Sequence, residues 1–252
     1  MRIIFPNRLA LSAMAGICNA EFASRHPVGY AVLGGFNADR GAMEAAAKVV
    51  KRGRREFVFE DPIEGIEAEL KKLKKLKFPG IVGVNTRSAT LQGYTQVAEL
   101  CRDYGAIMEI NAHCRQPEFL RIGCGQELLF KPDELAGIVS ACSEICPVSV
   151  KIRGGLGIDY VSLTELLRAS GACMIHVDAM IPGSGNDLQL VKRLSAIMFT
   201  VGNNSVVDYE SAVRMAEVSH IVSAARAVLN NENFFSSILR GELARKVELV
   251  VE

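Results

Sequence analysis

Short apolar runs alternate with amphipathic stretches along the whole chain, and this alternation constrains the fold more than any other feature. Eight runs are rich in Val and Ile, and several of them end in Gly or Asn, as buried strands do. The runs are residues 9–15, 28–33, 80–85, 106–111, 148–153, 174–178, 197–202 and 221–224. Strands that alternate with helices predict a parallel sheet with right-handed crossovers.

The stretches between the strands carry helix signals. Asp61 is a candidate N-cap, and Pro62 suits the first helical position after it. Apolar residues then recur at three- and four-residue spacing as far as Leu76, which is one face of a helix. Lysines between positions 71 and 77 lie mostly off that face, which indicates a solvated outer helix rather than a nucleic-acid patch. Residues 56–59 form an extra strand or part of a loop. Further helices are predicted over residues 38–50, 90–104, 132–144, 162–169, 187–194 and 209–217, and the tail over 232–250.

Eight strand–helix units in 252 residues have the size of an α/β fold of the (β/α)8 or TIM-barrel type. We therefore predict one domain over residues 1–252, with an open doubly wound sheet as the alternative. The first turn contains Met14-Ala15-Gly16-Ile17, whose single glycine does not form a dinucleotide-binding fingerprint, and no P-loop lysine motif is present.

Composition excludes several classes of protein. The net charge of +1 argues against nucleic-acid binding through bulk positive charge, and no apolar run approaches the ~18 residues that span a bilayer. The N-terminus has no signal-peptide pattern. Seven scattered cysteines then indicate thiols in a reducing compartment, and the lack of a CxxC pair predicts no metal site. We expect a cytoplasmic protein without a membrane partner, and the sequence gives no oligomeric state.

Polar residues stand at the C-terminal ends of most strand candidates, where barrel enzymes carry their active sites. Polar groups on apolar strands are costly unless they meet a ligand or one another. The set, more than any single member, therefore predicts a site. Its members are Asn85 on the third strand, Glu109 to Cys114 on the fourth, Lys151 and Arg153 on the fifth, His176 on the sixth, Gly202 and Asn203 on the seventh, and Ala225 and Arg226 after the eighth.

The last two turns suggest the kind of ligand. Backbone amides after strands seven and eight, with a short helix, form the usual phosphate site of a barrel. Lys151 could then face an electron-rich ring, with Asn111 and Cys114 near a second, reacting ring. This arrangement suits flavin mononucleotide (FMN) better than a sugar phosphate. A hydride transfer would need such a cofactor, because side chains cannot supply a hydride.

Together these segments resemble the motifs of the flavin-dependent tRNA-dihydrouridine synthases. Residues 12–17 resemble the first-strand motif proline-methionine-x-glycine, and residues 109–114 resemble aspartate-x-asparagine-x-glycine-cysteine-proline. Residues 148–153 match the valine-lysine-x-arginine strand, and residues 175–176 match the histidine strand. Gly202-Asn203 and Ala225-Arg226-Ala227 resemble the two phosphate-binding turns. The matches keep the family's order over about residues 10 to 230.

The resemblance implies an FMN-binding barrel that reduces the C5=C6 double bond of uracil with hydride from reduced flavin. Cys114 would be the proton donor, Asn111 would orient the uracil, and Arg153 would lie on the substrate side. Lys151 would hydrogen-bond the pyrimidine edge of the flavin and stabilise negative charge on its reduced form. The other cofactor-binding residues that it implies are Ala13, Met14, Ala15, Asn85, His176, Gly202, Asn203, Ala225 and Arg226. The substrate would contain uracil, tRNA included, and a reduced nicotinamide would donate the electrons.

The chain departs from the family pattern at several positions. His113 and Arg115 replace the glycine and the proline that flank the cysteine, and Gly83 stands where the family has a flavin-contacting glutamine. The residues after the barrel amount to about one helix, so we do not expect the helical tRNA-binding domain of the synthases.

Three other interpretations stay open. Glu109-Ile110-Asn111-x-x-Cys114 and the strand-five lysine also resemble dihydroorotate dehydrogenases, flavoenzymes that act on a free pyrimidine. A flavin- or phosphate-binding barrel without turnover is a second alternative. A sugar-phosphate isomerase or aldolase that uses Lys151 as a Schiff base is the third.

Overall fold

A closed barrel of eight parallel strands organises the chain. The computed structural model describes residues 1–183 and 185–251. Each barrel strand pairs with the next in chain order, and the last pairs with the first. The strands are β1 (Arg2–Phe5), which precedes the barrel, then β2 (Leu9–Leu11), β3 (Tyr30–Asn37), β4 (Ile81–Arg87), β5 (Ile107–Ala112), β6 (Val148–Arg153), β7 (Ala172–Asp178), β8 (Phe199–Asn203), β9 (Ile221–Ala224) and finally β10 (Val247–Val250). The predicted (β/α)8 barrel is confirmed, and the open-sheet alternative is wrong.

Helices connect the strands and cover the outside of the barrel. They are α1 (Ala20–Ser24), α2 (Arg40–Lys51), α3 (Pro62–Lys75), α4 (Leu91–Tyr104), α5 (Pro117–Leu120), α6 (Pro132–Ser143), α7 (Tyr160–Ala169), α8 (Leu188–Ser195), α9 (Tyr209–Ala216), α10 (Arg226–Asn230) and α11 (Phe234–Ile238). None of the helices in the described part of the chain combines the length and the apolar character that crossing a bilayer requires.

Helix α3 forms as its sequence predicts. The Asp61 side chain accepts the N–H groups of Ile63 and Glu64, both at 2.9 Å, so two of the otherwise unpaired amides of the first turn are satisfied. Pro62 occupies the first helical position, where its missing N–H costs nothing. The residues at helical spacing pack inward against β3, and the lysines of the opposite face lie in solvent.

The two ends of the chain differ from their prediction. The tail over residues 232–250 was expected to be helical, but only α11 is an α-helix, and β10 pairs antiparallel with β1. Phe5 and Leu249 from this pair pack with Tyr30, Ile107 and Met174, which begin barrel strands or lie near their starts. The small sheet therefore covers the N-terminal end of the barrel. Local periodicity could not reveal it, because the two strands lie at opposite ends of the sequence.

The first barrel strand is also shorter than predicted. It was expected over residues 9–15, but β2 ends at Leu11, and Ala13 to Ala15 belong to the loop that follows. Residues 56–59 lie in a loop and not in a strand. Both segments thus stand at the C-terminal end of the barrel, where they contribute to the site.

Candidate active site

Polar side chains occupy alternate positions on four consecutive strands, near their C-terminal ends. Residues i and i+2 of a strand share a face, so each of these strands presents two polar groups one above the other. The pairs are Asn85 and Arg87 on β4, Glu109 and Asn111 on β5, Lys151 and Arg153 on β6, and His176 and Asp178 on β7. All eight side chains are buried. The register places Lys151 beside both Asn111 and His176, so the pairs form one connected network.

His176 belongs to this network and is fully buried. Its Nδ1 atom is 2.8 Å from a carboxylate oxygen of Glu109, and its Nε2 atom is 3.0 Å from the hydroxyl of Ser12. Burial raises the pKa of Glu109, but His176, Lys151 and a hydrogen bond from Asn85 outweigh it and hold that pKa below its usual value. Burial, together with the charge of Lys151, lowers the pKa of His176. A neutral imidazole that donates from Nδ1 to an ionised Glu109 satisfies both groups.

Lys151 lies beside His176 in the register of β6 and β7 and is 4% exposed. Its Nζ atom donates to Ser12 Oγ at 3.0 Å, and Asn203 Nδ2 donates to the same oxygen at 3.0 Å. Because both lone pairs of Ser12 Oγ accept, its hydroxyl hydrogen is directed to His176 Nε2 or to Ser223 Oγ, which lies 3.3 Å away. Within residues 1–183 and 185–251, no carboxylate forms an ion pair with Lys151. A buried ammonium with one neutral partner is costly, so this position is suited to an electron-rich ligand.

Arg87 fixes the β4 side of the site. Its guanidinium pairs with Glu56 at 2.5 Å, donates to the Gly35 carbonyl at 3.0 Å and lies 3.8 Å from the centre of the Phe119 ring. Burial lowers the pKa of Arg87, but the attraction of Glu56 outweighs it, so the pKa lies above its usual value. The same guanidinium donates to Cys114 Sγ at 3.4 Å. The half-buried thiol is therefore held on this wall.

Asn111 shapes the turn in which Cys114 lies. Its side-chain oxygen accepts the N–H groups of His113 and Cys114 at 3.1 and 2.9 Å, and its amide nitrogen donates to Asn85 at 2.8 Å. On the other side of the turn, His113 Nε2 is 2.5 Å from Asp178. Consecutive side chains thus contact opposite walls, Cys114 towards β4 and His113 towards β7.

A cavity of about 200 Å3 opens between these walls at the C-terminal end of the barrel. It brings together seven of the predicted site residues, namely Ala13, Ala15, Asn85, Asn111, Cys114, Lys151 and Arg153. Its lining carries five cationic side chains, Arg54, Arg87, Arg115, Lys151 and Arg153, but a single carboxylate, Glu56, which is paired with Arg87. The cavity is therefore suited to an anionic occupant.

The other predicted site residues do not line this cavity. Met14 packs against the hydrophobic core, and His176 is fully buried beside Lys151. Gly202 and Asn203 end β8, whereas Ala225 and Arg226 follow the neighbouring β9. The two turns thus lie side by side at the same end of the barrel. The Asn203 side chain of the first turn donates to Ser12 Oγ.

Several residues of the site were not predicted from the sequence. Arg87 and Asp178 each follow a predicted site residue by two positions, so the alternation of strand faces could have found them. Gly35, Arg54, Glu56, Arg115 and Gln116 also line the cavity. Arg54 and Glu56 lie in a long loop after α2, whose position in space no local pattern reveals. Among the residues that the structure describes, no three His, Cys, Asp or Glu side chains are grouped as metal ligands.

Solved structures of similar shape are TIM barrels of distant sequence. The dihydroorotate dehydrogenase (DHODH) of Eimeria tenella, solved in complex with ferulenol, has a TM-score of 0.63 at 12% identity and covers 92% of this chain and 79% of its own. The old yellow enzyme homologue of Zymomonas mobilis has a TM-score of 0.60 at 12% identity, with 91% and 88% covered. At this identity the likeness shows the fold.

Sequence comparison gives a nearer relative. No protein-family model matches the chain. The uncharacterized protein MJ0144 of Methanocaldococcus jannaschii is 30% identical over 237 residues, which cover 88% of this chain and 89% of that protein. The chain therefore belongs to the same protein family as MJ0144 of Methanocaldococcus jannaschii.

Proposed function

We propose that this protein is an FMN-dependent oxidoreductase that acts on the C5=C6 bond of a uracil-type ring. The observation that carries the proposal is Lys151, a buried ammonium with a neutral partner, on the wall of a cavity that also holds Asn111 and Cys114. The motif resemblance to dihydrouridine synthases supports it. So does the likeness of the barrel to a dihydroorotate dehydrogenase, the second family that the sequence resembles.

The residues present fit FMN. Ala13 and Ala15 line the cavity with small side chains, which leaves room for a flat ring. Lys151 offers a cationic donor that no carboxylate in the described part of the chain engages. The turns that contain Asn203 and Arg226 lie side by side, as a phosphate site requires. When bound, FMN would supply the hydride chemistry that side chains cannot.

Each polar residue then has a definite task. Lys151 would hold the pyrimidine edge of the flavin, with His176 and Ser12 keeping its ammonium in place. Asn111 fixes the turn after β5 and would position the substrate ring through it. Cys114 would give its proton from Sγ to a ring carbon, and a positioned acid of this kind contributes about 10²–10⁴-fold to a rate.

The proposed substrate contains a uracil ring. One candidate is a uridine of tRNA, as the resemblance to dihydrouridine synthases implies. The second candidate is a free pyrimidine that carries an anionic group. Arg54, Arg115 and Lys151 line the cavity of about 200 Å3 and form no ion pair within the described residues, whereas Arg87 pairs with Glu56 and Arg153 with Asp178. These three cations favour the second candidate, because they surround the occupant itself and not an extended backbone.

Anaerobic assays of the FMN-saturated protein with reduced nicotinamide test the proposal. Unmodified tRNA and free pyrimidines are supplied side by side, and the dihydro product is measured by mass spectrometry. We expect a product that is reduced by two hydrogens from one of these substrates. Bound FMN without reduction of either substrate would contradict the proposed reaction and favour a barrel that binds flavin without turnover.

A further inference from the structure

His113 stands where the resembled motif has glycine, and its ring is held in one orientation. The Nε2 atom is 2.5 Å from Asp178 Oδ2, and Asn204 Nδ2 donates to the other oxygen of the same carboxylate at 2.6 Å. Burial opposes ionisation of Asp178, but hydrogen bonds from His113 and Asn204 and the charge of Lys151 hold its pKa well below the usual value. The carboxylate is therefore ionised and can only accept, so Nε2 must carry the ring hydrogen.

Arg153 does not change this assignment. Its guanidinium lies 3.4 Å from His113 Nε2 and 3.6 Å from the same Asp178 oxygen. Arg153 and Nε2 are both donors, so they cannot form a hydrogen bond with each other. The favourable contact of Arg153 is therefore the one with the Asp178 carboxylate. Arg153 thus lies on the Nε2 side of the imidazole, and both side chains line the cavity.

The other ring nitrogen is left for an occupant. The His113 side chain is 26% exposed, and Nδ1 has no hydrogen-bond partner among residues 1–183 and 185–251. Burial lowers the pKa of His113, and the charges of Lys151 and Arg153 add to this against the opposing effect of Asp178. At neutral pH the ring is uncharged, so Nδ1 presents a lone pair. The Nδ1 acceptor and the Arg153 donors line the same cavity, and together they complement a ring edge on which an N–H adjoins a C=O.

Resting on the proposed function, we infer that His113 is a specificity-determining residue, whose Nδ1 accepts the ring N–H of a uracil-type substrate while Arg153 donates to the adjacent carbonyl oxygen. Cys114, which contacts the opposite wall, keeps its separate task at the ring carbon. His113 would therefore select a substrate whose cyclic imide carries a hydrogen on the ring nitrogen. A ring methylated at that nitrogen offers no donor and meets an unpaired acceptor.

Asp178→Asn tests the inference because it should exchange the roles of the two His113 ring nitrogens, so that Nε2 accepts and Nδ1 donates. Asn204 donates to one oxygen of Asp178, so it should hold the new amide with its oxygen towards Asn204 and its NH2 towards His113. Nε2 would then accept, and the ring hydrogen would move to Nδ1. ¹⁵N NMR of labelled protein at pH 7.5 reports the tautomer directly, and the chain has four histidines, so His113→Gln assigns the signal.

Binding of uridine and of N3-methyluridine to FMN-saturated protein completes the test. We expect the Nε2–H tautomer in the parent protein and the Nδ1–H tautomer in Asp178→Asn. We also expect the parent to bind uridine at least about tenfold more tightly than the methylated probe, and Asp178→Asn to lose this preference.

An Nδ1–H tautomer in the parent protein would overturn the inference. So would the predicted tautomer with equal binding, or no binding, of the two probes. Absorbance of the same samples during FMN addition, together with the reduction assay, separates these results from a failure of the proposed function, which would show as absent FMN uptake or as absent reduction of any pyrimidine.

Discussion

At the scale of single residues, the proposed proton donor and the proposed flavin-binding lysine lie on different walls of the cavity. Cys114 is fixed by Arg87 on one wall, and Lys151 is held by Ser12 at the base of another. The sequence alone indicated Cys114 and Lys151, because each lies in a recognisable motif at a strand end. Arg54 could not be found in this way, since only the closed barrel brings its loop to the cavity.

Removing the thiol separates proton donation from binding. We predict that Cys114→Ala keeps FMN uptake but lowers turnover by about 10²–10⁴-fold, because no proton donor would then face the ring carbon. Steady-state rates and FMN titrations measure the two effects. Cys173→Ala is the matched control, since Cys173 is the second residue of β7, lies at the opposite end of the barrel and donates to the Val148 carbonyl. Turnover of Cys114→Ala equal to that of the control would contradict the assignment.

Lys151→Met removes the charge but keeps an unbranched side chain. We predict that FMN affinity falls about 10- to 100-fold, because a hydrogen bond from a charged donor is lost. The free energy of unfolding should stay unchanged or rise, since the buried ammonium has no carboxylate partner in the described residues. FMN titration and urea unfolding give both quantities. A variant that loses stability without losing FMN affinity would show that Lys151 is structural.

At the scale of the elements, the strand pattern was predictable and its exceptions have clear causes. β6 and β9 have the bounds that the sequence predicted, and in β6 the Val and Ile run ends at the polar residue Arg153. β10 was mistaken for part of a helix, since its partner β1 lies at the other end of the chain. Periodicity reports local structure, so it identifies a strand better than it identifies a distant pairing.

Gly83 on β4 gives a test of packing inside the barrel. A Cβ atom at this position would lie 2.4 Å from the hydroxyl oxygen of Tyr30, whose buried ring fills the space that a glutamine side chain would need. We predict that Gly83→Ala lowers the free energy of unfolding by about 1–3 kcal/mol, because the core is overpacked.

Gly137→Ala is the control for this experiment. Gly137 lies within α6 with no atom within 4 Å of an added Cβ, so alanine should raise stability by about 0.5–1 kcal/mol. Urea unfolding of both variants measures the difference. Equal stability of the two variants would contradict the packing at Gly83.

At the scale of the whole molecule, the four histidines make stability depend on pH. Burial is the largest cause that holds the pKa of His26, His113, His176 and His220 below the ordinary value of 6.5. Near that pH the unfolded chain binds protons that the folded chain does not. The free energy of unfolding should therefore be highest above pH 6.5 and fall as the pH drops towards the folded-state pKa values.

Urea unfolding at pH 7.5, 6.5 and 5.5 measures this dependence. His26→Phe should reduce it, since His26 packs between Phe22 and Phe235 and neither of its ring nitrogens has a hydrogen-bond partner in the described structure. A stability that stays constant between pH 7.5 and 5.5 would contradict the account of the buried histidines.

The central claim is that the C-terminal end of this barrel binds FMN, and the absorbance spectrum of the purified protein tests it most directly. We expect flavin bands in the protein as purified or after addition of FMN, with FMN identified in the material released on denaturation. A protein that is colourless and takes up no FMN would contradict the claim, and Lys151 would then point to the sugar-phosphate chemistry of other barrels.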